Sequence, residues 1–228
     1  IGVMKSSDGG WNWDNKGLLL EDQQSRMILN PHNSSKTFAG GVGDPSAVAV
    51  GDYVYLFYGE YGYPGTYDSA TYDPAIEQSG QCISVARVKI SDLDQPQGKA
   101  KRWDGKGFNA PWNEFGAPIS TLQIPKEKGG GPASSGAGGF HWGPSVSWNT
   151  YLECWVMLMG HVEGQKWIGD KLYISFNPHR ELGEGNNSQA WSTPQVLVQK
   201  PGHVIWYPSL QPLNTPEDIA AKNTSLKL

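Results

Sequence analysis

The chain has 228 residues, a formal net charge of −4 and a sequence pI near 5.7. That length suits one substantial domain with its own core. The scattered Lys and Arg exclude nucleic acid or an anionic membrane surface as the main partner, and no apolar stretch reaches the length of a membrane span or signal peptide. Glycine (29) and proline (16) make up about a fifth of the residues, well above the usual ~12%. Ten Trp and ten Tyr accompany them, so the composition predicts many short strands separated by demanding turns.

In chain order, SSDGGWNW at 6–13 reads as a hairpin turn. Asp8-Gly9 supplies the dihedrals of a tight turn, and the Asp8 carboxylate is expected to accept backbone N–H groups ahead of it. Trp11 and Trp13 are expected on one side of the following strand, with Trp13 packed between strands. The stretch resembles the Asp-box of sialidase-type β-propellers through Ser6, Asp8, Gly10 and Trp13; Asn12 stands where that family usually has threonine. The resemblance implies a structural turn away from any active site.

GDPSAVAVGDYVYLFYG at 43–59 aligns with WGPSVSWNTYLECWVMLMG at 142–160, and a third copy begins with YPSLQPL at 207–213. Each of the first two has a Pro-Ser pair, a strand, a short turn and a second strand rich in aromatic and branched residues. A third strand follows at 82–88 and 171–178, and a fourth at 100–106 and 190–198. Four antiparallel strands are the unit of a β-propeller blade. The expectation is an all-β fold, a β-propeller of the five-bladed type built from four-stranded antiparallel blades. One propeller domain spans 1–228, with 1–30 as the end of a blade, 43–106 and 142–198 as whole blades and 207–228 as the start of the next. Such a set is incomplete for a ring and reads as a fragment of a larger propeller. Pro45, Pro144 and Pro208 should then open three inner strands around one channel. One helical turn is expected at 215–222. Cys82 and Cys154 lie in apolar runs and read as buried thiols, with a disulfide as the alternative.

With the Pro-Ser ends at the top, the long loops 58–81, 116–143 and 199–207 gather on one face, where binding usually sits. The first carries Tyr58, Tyr61, Tyr63, Tyr67 and Tyr72 among Glu60, Asp68 and Asp73. Aromatic rings beside carboxylates suit sugars, the rings stacking on C–H faces and the acids taking hydroxyls. Self-packing of the loop is the alternative.

GDPSAV followed by GDYVYLFYG and ISVAR resembles the blade pattern of five-bladed glycoside hydrolases, including families 43, 32 and 117. The resemblance implies that Asp44, before Pro45 at an inner-strand start, is the catalytic base or nucleophile, a glycosidase acting on a poly- or oligosaccharide. Its acid glutamate has no counterpart at HWGPS, where Trp142 and Gly143 stand instead. Glu153 follows a bottom turn and is set aside. Glu60 and His141 are the acid candidates, since histidine titrates near neutral pH and family 117 is similar in using one. Trp142, Trp206, Tyr207, Tyr61 and His161 are candidate substrate contacts. Glycoside hydrolysis wants two carboxyl groups about 5–9.5 Å apart, and only Asp44 is convincingly visible. A non-catalytic carbohydrate- or protein-binding propeller is the rival, and a polysaccharide lyase using His or Tyr as base the third reading. No metal motif or cofactor loop is present; a structural calcium or sodium ion in the channel is compatible with the fold. The resemblance implies a secreted, extracellular or periplasmic protein.

Overall fold

In the computed structural model, the described residues are 1–22, 41–61, 68, 70, 81–123, 140–162 and 169–211. The helical turn expected at 215–222 lies outside them, as do Tyr63, Tyr67, Tyr72 and Asp73. They form eleven strands in three antiparallel sheets, with three short 3-10 turns and no α-helix. Among them, no helix is long and apolar enough to cross a membrane.

Strands β1 (Gly2–Lys5) and β2 (Asp14–Leu18) form a hairpin. Strands β3 (Val42–Val50), β4 (Tyr53–Tyr61), β5 (Gln81–Lys89), β6 (Lys101–Trp103) and β7 (Phe108–Pro111) follow one another across a five-stranded sheet. Strands β8 (Phe140–Asn149), β9 (Cys154–Val162), β10 (Lys171–Asn177) and β11 (Gln195–Gln199) make a four-stranded one. The five-stranded sheet departs from the expected four. The stretch read as one strand over 100–106 turns at Asp104-Gly105, where Asp104 Oδ1 accepts the Lys106 and Gly107 N–H groups at 2.8 Å. Gly105 holds a φ of 96° there, which glycine adopts without a steric cost, so the chain returns as β7.

The repeat also appears in the side-chain pattern. On β4, Tyr55 and Phe57 enter one cluster, where they meet Ile83 and Val85 of the same sheet and Val146, Trp155, Met157 and Met159 of the next. Leu56 and Tyr58 point the other way, into a cluster with Leu19, Leu20, Ala86 and Val88. The period of two thus distributes a continuous apolar run over two faces, as a strand covered on both sides requires. The five-stranded sheet lies between the β1–β2 segment and the four-stranded sheet, a propeller-like stacking of blades. Strands β3 and β8 are neighbours, and the Val146 N–H donates to Ser46 Oγ at 2.9 Å.

The opening turn forms as expected at Asp8, whose Oδ1 accepts the Trp11 and Asn12 N–H groups at 3.1 and 2.9 Å. Asn12 Nδ2 donates to Oδ2 at 2.6 Å. The two tryptophans differ from expectation. Both precede β2, Trp11 is 88% and Trp13 56% exposed, and the Trp13 indole N–H folds back onto the Gly10 carbonyl at 2.9 Å. The turn satisfies its own donors, so the indoles are not drawn into a strand interface. Both cysteines are free thiols; Cys82 is buried as expected, whereas Cys154, the first residue of β9, is only half-buried. Burial pushes the Cys82 thiol up to about 12.

Candidate functional site

The site is built on the three Pro-Ser repeats. Asp44, Gly143 and Tyr207 each precede such a pair, and their φ angles are 48°, 56° and 52°. Pro disfavours the right-handed helical region for the preceding residue and biases it to an extended backbone. All three residues are left-handed instead. At Asp44 and Gly143 the left-handed backbone coincides with a register slip, between Gly43 and Ser46 on β3 and between Trp142 and Ser145 on β8. A bulge inserts residues that the partner strand does not match and redirects the side chain there. Glycine occupies the left-handed region freely, and aspartate is tolerated there, but a tyrosine in it is strained. The third copy is not a strand over its described residues 207–211, although its backbone at Tyr207 repeats the others.

The redirected side chains meet. Tyr61 Oη donates to Asp44 Oδ2 at 2.5 Å. The Tyr207 phenol lies beside the same carboxylate: burial and the Asp44 charge both raise its pKa. The Tyr61 phenol is likewise raised well above its usual range, by burial first and then by Asp44. Trp142 stacks edge-to-face with Trp206 and Tyr207, with ring centroids 5.3 Å apart in each pair. Trp206 and Tyr207 are 44% and 62% exposed, while Trp142 is buried beneath them. Of the residues expected from sequence, Asp44, Tyr61, Trp142, Trp206 and Tyr207 are thus brought together as one aromatic-lined carboxylate.

Glu60 is placed elsewhere. It continues the Leu56–Tyr58 face of β4, opposite to Tyr61, and is buried. Its Oε2 accepts from Arg102 Nη1 at 2.9 Å, the Gly116 N–H at 3.1 Å and Tyr58 Oη at 3.4 Å. Burial outweighs the Arg102 charge and pushes the Glu60 carboxyl up to about 7. Arg102, fully buried, also donates to the Glu21 and Trp112 carbonyls at 2.5 and 3.0 Å. This arginine fastens the β1–β2 segment to the five-stranded sheet, and Glu60 balances its charge. Glu60 thus belongs to the Arg102 cluster, on the face of β4 opposite Tyr61.

His141 and His161 pair across β8 and β9 and pack with Tyr173, at centroid distances of 4.5 Å and 5.5 Å. They project to the face of the sheet opposite Trp142, since adjacent strand residues alternate. Burial, with the His161 ring nearby, pushes His141 down to about 3, so its imidazole is neutral at physiological pH and carries no acidic proton of the imidazolium kind. Glu153 sits in the turn before β9 with a φ of 51°. Among the described residues, no three of His, Cys, Asp and Glu converge in a way that could hold a metal ion.

Sequence reasoning missed two features of this site. Gly43 and Gly59 are cross-strand partners, and the Tyr61 ring lies over them: a Cβ at Gly59 would collide with the phenol oxygen, and one at Gly43 would meet Cε2 at 3.1 Å. Gly160, the counterpart of Gly59, pairs with Trp142, whose Nε1 would stand 3.0 Å from an added Cβ. The YG and MG dipeptides at the ends of the aligned strands carried this signal.

No protein-family model matches the sequence, and no curated protein matches it. Among solved structures, the chain is similar to an α-L-arabinofuranosidase from Podospora anserina in complex with cellotriose, at 16% identity and a TM-score of 0.35, over 75% of this chain and 35% of that one. It is similar to the catalytic domain of a family 62 α-L-arabinofuranosidase from Coprinopsis cinerea, at 14% identity and a TM-score of 0.35, over 77% and 36%. An exo-β-1,3-galactanase from Phanerochaete chrysosporium, in complex with β-1,3-galactotriose, gives 10% identity and a TM-score of 0.32, over 72% and 28%. The chain spans about a third of the length of the first structures it matches.

Proposed function

We propose that this chain carries part of the active site of a propeller glycosidase that hydrolyses a glycosidic bond in a poly- or oligosaccharide. The observation that supports the reading best is Asp44 itself: a carboxylate in a left-handed backbone, held by one phenol and beside a second that packs against two indoles. Residues kept in sparsely populated conformations cluster at functional sites, and the aromatic surround offers stacking faces for a sugar. In this reading Asp44 is the general base or nucleophile, and the exposed Trp206 and Tyr207 form the platform, with the buried Trp142 supporting them from beneath. Glu60 is assigned to the fold, and the acid to a residue outside those described. A polymeric glycan as substrate also implies a secreted or periplasmic protein.

The test is turnover and glycan binding measured together on wild type and Asp44→Asn, using a panel that includes xylotriose, cellotriose and β-1,3-galactotriose and reading new reducing ends. Asparagine tolerates the left-handed backbone and keeps the size, so folding should survive. Turnover should fall at least ~10²-fold, as for loss of an acid–base group. Unchanged turnover removes Asp44 from the chemistry. Glu60→Gln and His141→Gln should retain turnover, and a loss in a folded variant would restore that residue as the acid.

A second reading, a carbohydrate-binding propeller without turnover, is favoured by one observation: the partners of Asp44 among the described residues are phenols, not a second carboxylate. Binding by wild type with no new reducing ends across the panel selects it.

A further inference from the structure

Two of the three left-handed Pro-Ser positions carry side chains, and both bear on one carboxylate although they come from different repeats. Asp44 lies on β3 of the first sheet, while Tyr207 follows the last strand of the second. Tyrosine gains nothing locally from a φ of 52°; a bulky residue in this region is strained. Gly143, the remaining member, would place a Cβ 3.8 Å from Tyr207 Cδ1, an ordinary contact distance, so the second and third Pro-Ser positions abut here. On the other side, Tyr61 reaches Asp44 only because Gly43 and Gly59 leave a flat seat for its ring. An extra methyl at Gly59 would occupy the position of the phenol oxygen that makes the 2.5 Å bond. Strain at one phenol and a glycine seat for the other converge on the orientation of a single side chain.

We propose that Tyr61 and Tyr207 are positioning residues that clamp the Asp44 carboxylate in one rotamer, so that the reactive group is assembled jointly by the first and third Pro-Ser repeats. The inference rests on the reading of Asp44 as the functional carboxylate but concerns its orientation, which can be measured separately. A carboxylate on a two-torsion side chain otherwise samples several staggered states, and catalytic geometry tolerates only small departures. The phenols supply the direction that the short side chain lacks. Burial first, and then the charge and hydrogen bonding of Asp44, raise both phenols above their ordinary range.

The test uses the full chain and reads Asp44 directly. Hα–Hβ couplings of Asp44 by NMR should report one χ1 state in wild type and rotamer averaging in Tyr61→Phe/Tyr207→Phe, with amide chemical shifts away from the site unchanged. If Asp44 keeps a single χ1 in the double variant, the clamp is wrong whatever the activity. On the glycan panel, each single Phe variant should lose about tenfold in kcat with KM within twofold, because the ring platform is retained. Unchanged kcat in both, alongside a large loss in Asp44→Asn, also overturns the positioning role while leaving Asp44 in place. An enzyme that shows no turnover in wild type withdraws the hydrolase reading, and the NMR arm still decides the clamp. Gly59→Ala combined with Tyr207→Phe provides the remaining check: displacing Tyr61 without removing its hydroxyl should give the same averaging as the double Phe variant, and a single retained χ1 would deny the seat its role.

Discussion

Glu60→Gln tests how the buried pair with Arg102 contributes to stability. Burial raises this carboxyl from 4.5 to about 7, against the opposing pull of the Arg102 guanidinium and the Gly116 N–H. Asp22, Tyr58 and Cys82 are the other titratable groups around it. The folded protein therefore retains a proton that the unfolded chain releases near pH 4.5. The stability linked to that proton is fully present below the unfolded value and is lost as pH rises through the folded one, because the unfolded state then binds fewer protons. With a tenfold difference in proton affinity worth about 1.4 kcal/mol, the loss over that window comes to about 3 kcal/mol. Glutamine mimics the protonated acid and does not titrate. Urea denaturation of wild type and Glu60→Gln from about pH 4.5 to 8.5 isolates this group, since other titrations cancel in the difference. Wild-type stability should fall relative to the variant as pH rises, by up to about 3 kcal/mol. A difference that grows in favour of wild type would refute the reasoning: Arg102 would then outweigh burial, and the pair would be a net stabilising ion pair, which buried pairs often are not.

The Asp8 carboxylate, held at about 2 by hydrogen bonds from Asn12 and Ser6, should support its turn above pH ~4 and lose that contribution as pH falls towards 2. Asp8→Ala should thus lower the urea midpoint near neutrality and flatten the acid limb, with glycan binding untouched; lost binding in a folded variant would mark the turn as part of a site. Gly143→Ala should cost about 1 kcal/mol, the price of a left-handed alanine, because the nearest atom to its Cβ is 3.8 Å away. Equilibrium unfolding checks this, and a cost within ~0.3 kcal/mol would mean that the backbone relaxes out of the bulge.

The repeat was legible because strand periodicity, paired turns and the Pro-Ser dipeptide all recur within local windows. The hairpin at Asp104-Gly105 was missed because β6 has three residues and offers too few alternations to be counted. The dihedrals of Asp44 escaped a local rule for pre-proline residues, since a bulge set by the partner strand overrode it. Arg102 could not be read at all: its partners include the carbonyl at position 21, 81 residues upstream, and the Glu60 carboxylate, 42 residues upstream. The separation of Glu60 from Asp44 was readable in principle, because consecutive residues of β4 face opposite ways and Tyr61 takes the Asp44 side. Trp11 and Trp13 failed for the converse reason, as the turn between β1 and β2 resolves its donors internally and leaves the indoles outside.

One backbone conformation is occupied by aspartate, glycine and tyrosine in the three Pro-Ser repeats. The scaffold therefore does not need an acid at this place in order to fold; it needs only a residue that accepts the bend. Replacing the carboxylate by glycine, as in a sister repeat, would keep the bend without strain, and on the proposed reading of Asp44 it would remove the chemistry. Among related chains, loss of the acid would leave the architecture intact, and enzymes and silent binders could descend from one another through this single slot.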